Sequence, residues 1–264
     1  MKRYRLLLLF VFLVIFLIAG RAEALDVEVD GEVVSRQAEL VEGSAYIPLR
    51  ELLDVLGGWD ITWDQDSRTA TAEGELFTLV LPTESSIVQV DGYPIDLGLP
   101  VLLQGNTSYV PLRAAANLCG AAVTWNGPDQ PITLSPSPGS DAYSQEDLLW
   151  LSRIISAESQ GEPLWGQIAV GNVVLNRVAH PDFPNTIQGV IFDDVYAIQF
   201  EPVENGTVYA DPVPSSVLAA RMALSGTQAV GNCLYFYNPA LSQDTWIASH
   251  RTYYATIGSH RFFL

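Results

Sequence analysis

Glu158 and Glu162 stand four residues apart in IISAESQGEPLWGQIAVGNVVLNRV, residues 154–178, a largely apolar stretch. A carboxyl group there has two simple explanations. It caps a helix start, where free N–H groups favour negative charge. Or it is an acid kept protonated by desolvation, ready to donate a proton near neutral pH. The flanking elements separate the two residues. DLLWLSRIISAE puts Leu148, Leu151, Ile154, Ile155 and Glu158 on one helical side, so Glu158 extends an apolar face. Gly161 and Pro163 end that helix, and LWGQIAVGNVVLNRVAH reads as the next one. Glu162 falls at or just before the second helix, which gives it the capping explanation. For Glu158 the sequence leaves two readings, a proton donor or a buried ion pair with Arg177 or Arg153.

Other chemistry finds less support. The histidines are His180, His250 and His260, and neither cysteine has metal-ligand spacing, so no metal is expected. No Gly-x-Ser-x-Gly nucleophile elbow occurs. No cofactor is implied. Cys119 and Cys233 can pair in an oxidising compartment or remain buried thiols.

The chain has 264 residues and a formal net charge of −17. It opens with MKRYR, an apolar run from Leu6 to Gly20, and an Ala-x-Ala ending at Ala24, the pattern of a secretory signal peptide. An uncleaved anchor is the competing reading. Loss of residues 1–24 leaves nine strong bases against 29 acids, a net charge of −20. Such a surface is repelled by nucleic acid and by anionic membranes. No nucleic acid and no membrane partner beyond export is expected.

The segment after the leader repeats itself. SAYIPLRELLDVLGG (44–58) matches TSYVPLRAAANLCGA (107–121) at an offset of 63, and ITWD and VTWN follow around Trp63 and Trp125. Each copy reads as strand, short helix, strand, with proline opening and glycine closing the helix. Asp91-Gly92 marks a hairpin turn. Arg50 and Arg113 occupy equivalent places, either contacting an anionic ligand or pairing with acidic neighbours. PSPGSDAYS (136–144) reads as a linker, and Ser144 as a helix start. The doubled Tyr-x-Pro-Leu-Arg signature resembles the copper amine oxidase N-terminal-like domain, a small α+β module, over about residues 27 to 135. Residues 25 to 179 contain no histidine, so copper chemistry is not expected there. The module's expected role is positioning, wall binding or simple spacing.

The C-terminal half resembles the spore cortex-lytic and cell wall hydrolase family, the SleB/CwlJ-like group. The resemblance rests on Glu158-Ser159-Gln160-Gly161-Glu162, Gly166-Gln167-Ile168-Ala169-Val170 and Leu175-Asn176-Arg177, then FPNTIQGVIF (183–192), QFEPV (199–203), AARMALSG (219–226), LYFYNP (234–239) and IGSHRFF (257–263), all in order. Ser159 replaces a usual Ala, and Glu201 stands where Ser is common. The resemblance implies a lysozyme-like lytic transglycosylase. Glu158 is then the catalytic acid, later base, between N-acetylmuramic acid and N-acetylglucosamine. Gln199, Phe200, Tyr235, Tyr237 and Asn238 are the substrate-binding candidates, with Trp246 a further sugar-stacking one. Core packing is the alternative for each aromatic. Glu162, Gln167, Asn176 and Arg177 are structural residues near the site.

The expected fold class is therefore α+β, a small duplicated α/β module joined to a mainly α catalytic domain. The expected divisions are signal peptide 1–24, N-terminal module 25–135, linker 136–144 and catalytic domain 145–264. The expected partner is the peptidoglycan glycan strand, in the cell wall or spore envelope, with an unidentified accessory protein left open. Three alternatives remain. One is a hydrolytic muramidase using a second carboxylate among Asp193, Asp194, Glu201 and Glu204. Another is a non-catalytic wall-binding or spore structural protein. The third is an amidase acting on stem peptides.

Overall fold

The computed structural model describes residues 24–127, 130–136, 143–195, 199–241 and 245–264. The leader up to residue 23 and linker residues 137–142 lie outside the described residues.

The N-terminal half is built from strands. They are β1 (Ala24–Val29), β2 (Glu32–Val41), β3 (Ser44–Pro48), β4 (Asp60–Asp64), β5 (Thr69–Glu73), β6 (Thr78–Pro82), β7 (Ile87–Val90), β8 (Tyr93–Asp96), β9 (Leu102–Gln104), β10 (Thr107–Pro111), β11 (Ala121–Thr124) and β12 (Ile132–Pro136). Helices α1 (Leu49–Leu56) and α2 (Leu112–Leu118) interrupt them at equivalent points of the two copies. One sheet has the order β11-β12-β1-β2-β3-β10-β9 and the other runs β4 to β8 in sequence. Among the described residues, only β1 and β12 pair in parallel.

The repeat predicts strand, helix, strand twice, and that is what forms. Pro48 and Pro111 are the N-caps of α1 and α2. Gly57, at φ 72, supplies the left-handed residue that closes α1. Asp91 and Gly92 have φ values of 47 and 84, as a two-residue hairpin turn requires, and Val90 pairs directly with Tyr93.

The two copies meet along β3 and β10. Ile47 pairs with Val110, flanked by Tyr46 with Pro111 and Pro48 with Tyr109. Under the 63-residue offset each flanking pair maps onto the other, and the central pair maps onto itself. A local two-fold axis therefore passes through the Ile47–Val110 pair.

The C-terminal half is mainly helical. It contains α3 (Gln145–Ser159), α4 (Leu164–Ala179), α5 (Ile187–Ile191), α6 (Glu201–Glu204), a 3-10 turn at Thr207–Tyr209, α7 (Pro214–Leu224) and α8 (Thr245–His250). Strands β13 (Tyr235–Tyr237), β14 (Tyr253–Ile257) and β15 (His260–Phe263) form a small sheet in the order β13-β15-β14. The mixed α+β class expected from the sequence is the one observed. Ser144 caps α3 through a reciprocal capping box with Asp147. Leu151, Ile154 and Ile155 of α3 are fully buried, each contributing roughly 1.5–3 kcal/mol by leaving water. Helices α3 and α7 close tightly on α4. A Cβ added at Gly171 would sit 2.9 Å from the Ile155 Cδ1 and 3.3 Å from the Ala223 Cβ.

The two halves also touch. Asn117 of α2 exchanges two hydrogen bonds with Gln228, and the Thr227 hydroxyl donates to the Leu118 carbonyl. A Cβ at Gly120 would collide with the Ser225 carbonyl, so this contact needs a residue without a side chain.

Candidate active site

Glu158 lies one residue before the end of α3, on the stripe begun by Leu151, Ile154 and Ile155, and is half-buried. Its pKa is pushed up to about 7, first by desolvation and then by the Glu201 carboxylate, against a smaller opposing pull from Arg177. The negative end of the helix dipole acts on its charge in the same direction. Among the described residues no cation lies within 4 Å of Glu158, so the ion pair with Arg177 or Arg153 does not form.

Arg177 is the cation whose charge acts on Glu158. It leaves α4 at 5% exposure and is enclosed by rings, with its guanidinium 5.1 Å from Phe183, 5.3 Å from Phe200 and 5.6 Å from Tyr235. Its Nε donates to the Leu234 carbonyl at 2.8 Å, while Nη1 is buried without a hydrogen-bond partner among the described residues. Burial lowers its pKa to about 10, and the charges of Tyr235, Asp193 and Glu158 oppose that fall. One buried cation thus faces several acids, and Glu158 receives only part of its field.

Polar side chains of α4 organise the chain around it. The Gln167 amide donates to the Glu162 carbonyl at 2.9 Å and accepts from Ser216 of α7 at 2.8 Å. Asn172 donates to the Thr227 carbonyl at 2.8 Å and accepts from the Ala229 N–H at 2.7 Å. Asn176 donates to the carbonyls of Gly231 and Cys233. Asn172 and Asn176, followed by Arg177, lay residues 227–234 along the helix and deliver strand β13 beside it. The sequence reading missed Asn172 and Ser216. A polar residue inside the apolar run AVGNVVL was the available signal for Asn172.

The structure corrects several expectations. Glu162 does not cap α4, whose N-cap is Pro163. Its carboxylate instead accepts from the Ser259 N–H at 2.8 Å and lies 3.7 Å from His260 Nδ1, holding the β14–β15 turn. A Cβ at Gly258 would collide with it. Phe200 is 2% exposed and packs beneath Arg177 and beside Phe236, so it is a core side chain and not a platform for a sugar. Cys119 and Cys233 are separate thiols, and burial raises both pKa values, to about 12 and about 11.

The remaining candidates divide. Tyr235 joins the Arg177 cluster and also faces Arg251, whose guanidinium lies 4.3 Å from its ring and 5.2 Å from that of Trp246. Tyr237 stacks on Phe263 at 5.6 Å. Asn238 uses its side-chain oxygen within its own turn, accepting from the Ala240 N–H at 2.9 Å. Gln199 is half-buried, immediately before Phe200. Glu201 is exposed at the first turn of α6, where its charge reaches Glu158. The site thus joins α3, α4, α6 and β13.

Two family models match the chain, Cell Wall Hydrolase over residues 161–263 and Copper amine oxidase N-terminal domain over residues 28–134. The C-terminal half carries a cell wall hydrolase domain. Glu158 lies three residues before the matched segment of that domain.

Among similar proteins is a spore cortex-lytic enzyme of Bacillus cereus, 38% identical over 122 residues, or 46% of each chain. The spore cortex-lytic enzyme of Bacillus subtilis is 34% identical over 120 residues, 46% of this chain and 38% of that protein. The chain thus spans less than half the length of these curated relatives. The catalytic domain of the germination-specific lytic transglycosylase SleB from Bacillus anthracis is 38% identical, covering 47% of this chain and 98% of that one at a TM-score of 0.43. Among the described residues, no helix is long and apolar enough to cross a membrane.

Proposed function

We propose that this protein cleaves the glycan strand of peptidoglycan between N-acetylmuramic acid and N-acetylglucosamine, as a lytic transglycosylase with Glu158 as the single proton-transferring group. The observation that carries the reading is the state of Glu158. It is half-buried at the end of an apolar helix face, has no ion-pair partner among the described residues, and has a pKa of about 7. A carboxyl group so placed is substantially protonated at neutral pH and can act as a general acid. The relatives named as spore cortex-lytic enzymes and the SleB lytic transglycosylase support the substrate class, with spore cortex as the preferred wall.

In the proposed reaction Glu158 donates its proton to the glycosidic oxygen. The bond from that oxygen to the muramyl anomeric carbon breaks through an oxocarbenium-like state. The N-acetylglucosamine fragment leaves with a new hydroxyl. Glu158, now a carboxylate, removes the proton from the muramyl 6-hydroxyl, and that oxygen bonds to the anomeric carbon. The product is a 1,6-anhydromuramyl end, and the acid is regenerated. Arg177 stabilises the carboxylate formed between the two steps. Tyr235, Tyr237 and Trp246, with Gln199 and Asn238, are the groups proposed to receive the sugar chain.

One observation favours a second reading. The Glu201 carboxylate acts electrostatically on Glu158. A second carboxylate near the acid is what a hydrolytic muramidase needs to activate water or trap the glycosyl cation. Mass spectrometry of fragments released from cortex and vegetative peptidoglycan separates the two. Anhydromuramyl ends made by wild type and not by Glu158→Gln support transglycosylation. Reducing muramic ends, lost in both Glu158→Gln and Glu201→Gln, indicate hydrolysis. New free amino groups without new sugar ends identify an amidase. The absence of any product from wild type on either wall refutes the enzymatic reading.

The N-terminal module is proposed to position the catalytic domain on the wall. The divisions proposed are a leader of residues 1–24, a module of 25–135, a linker of 136–144 and a catalytic domain of 145–264. Export through the leader would deliver the protein to the cell wall or spore envelope.

A further inference from the structure

The two-fold relation in the N-terminal module duplicates more than its strands. It produces two grooves built alike. One, of about 450 Å³, is lined by Arg113 and Trp125 of the second repeat and by Gly43 and Ser44, the turn of the first. The other, of about 270 Å³, is lined by Arg50 and Trp63 of the first repeat and by Asn106 and Thr107, the turn of the second. The offset that relates the repeats carries Arg50 onto Arg113 and the turn at 43–44 onto that at 106–107. Each groove therefore takes its arginine and tryptophan from one repeat and its wall from the other, so neither repeat could form it alone.

The chemistry of both grooves points to an anionic ligand with apolar faces. Arg50 and Arg113 are exposed, and neither has a carboxylate within 4 Å among the described residues. The same holds of the other described arginines except Arg36 and Arg68, so what singles out Arg50 and Arg113 is their equivalent position in two related grooves. A guanidinium held out in this way matches a carboxylate in charge and shape. The tryptophans add a large apolar face. The smaller groove contains Glu51, whose carboxylate accepts from Gln37 at 2.7 Å; Ala114 takes the corresponding place in the larger one. The Arg113 groove is thus the less acidic of the pair.

We propose that the two grooves are paired subsites for peptidoglycan, with Arg113 and Arg50 receiving carboxylates of its stem peptides and the tryptophans the faces of its amino sugars. The identity of the polymer rests on the proposed function above. Two related subsites in one module can hold a repeating polymer by multivalency. They also offset the repulsion between a wall rich in carboxylates and a protein of net charge −17.

The test measures retention of the full mature chain on insoluble peptidoglycan stripped of teichoic acid, with Glu158→Gln present throughout so that the wall is not consumed. Arg113→Ala should weaken binding about tenfold, Arg50→Ala less, and the double variant more than either, by several tens of fold. Blocking the wall carboxylates by amidation should reproduce the double variant. Arg68→Ala, outside both grooves, should bind as the parent does. Unchanged thermal unfolding of the variants establishes that the fold is intact. The proposal is overturned if the double variant binds like the parent, or if Arg68→Ala is equally weak. It is also overturned if the arginines matter only on walls that retain teichoic acid, which would make a phosphate polymer the ligand. Cleavage is read separately with Glu158 intact. Normal, arginine-dependent binding with no cleavage would refute the enzymatic reading and uphold this one.

Discussion

The two halves of this protein use polar side chains in opposite ways. In the N-terminal module, Arg50 and Arg113 remain at the surface and the core is apolar. In the C-terminal domain, Gln167, Asn172 and Arg177 are buried among apolar neighbours, and hydrogen bonds tie them to segments distant in sequence. A surface arginine can change with little effect on folding. A buried amide bonded to a remote loop couples the fold to the site, because removing it exposes nothing to water and leaves its partners unpaired. The module thus keeps its charged groups for a surface, and the C-terminal domain holds a carboxyl group in a fixed environment.

The largest expected effect tests the purpose of that environment. Glu158→Gln should lower glycan cleavage by about 10²- to 10⁴-fold, as expected for loss of a general acid, while retention on peptidoglycan is unchanged. Fragment release counted by mass spectrometry and a pull-down on the same wall provide both readings. Equal loss of binding would mean that the C-terminal half is only a docking surface.

The pH profile sharpens the same point. As the required acid form, Glu158 should make cleavage fall about tenfold per pH unit above its pKa of about 7. Initial rates between pH 5 and pH 9 check this, and a flat profile across pH 7 would remove Glu158 from the proton-donating role.

Burial sets the next effect. Asn172→Ala should destabilise the protein by about 2–4 kcal/mol, since two hydrogen bonds are lost and the Thr227 and Ala229 backbone groups are left unpaired. Arg50→Ala should stay within about 0.5 kcal/mol. Denaturant unfolding of both variants would erase the contrast between the halves if the two values proved alike.

The smallest effect has the opposite sign. The folded-state pKa of Glu158 is raised above its ordinary value of 4.5, so the native state holds a proton that the unfolded chain has lost between those values. Stability contributed by this group therefore falls as pH rises from about 4.5 through about 7, and stays low above. Glu158→Gln should be more stable than wild type by about 1–3 kcal/mol at pH 8 and unchanged at pH 4. Equal unfolding midpoints at pH 8 would show that the carboxylate is well solvated.

Much was legible in the sequence because it depends on neighbours along the chain. Periodicity placed Glu158 on the apolar stripe of α3. Ser144 announced the start of that helix, and Asp91-Gly92 the hairpin turn. The doubled Tyr-x-Pro-Leu-Arg gave the two equivalent units, and the mixed α+β class followed. What failed depended on partners far away in sequence. Glu162 lies beside a helix start, yet its carboxylate is used by Ser259, 97 residues later. Phe200 follows a polar glutamine beside proline, yet the Arg177 guanidinium and Phe236 cover it. Nothing local reveals that the field of Glu201 reaches Glu158, or that each groove of the module borrows a turn from the other repeat. The sequence by itself determined the helices, the turns, the repeat and the candidate acid, since those follow from short-range sterics and from the spacing of apolar residues. Only the tertiary structure decided which side chains are desolvated and which charges face one another, because burial and electrostatic coupling depend on distance through space.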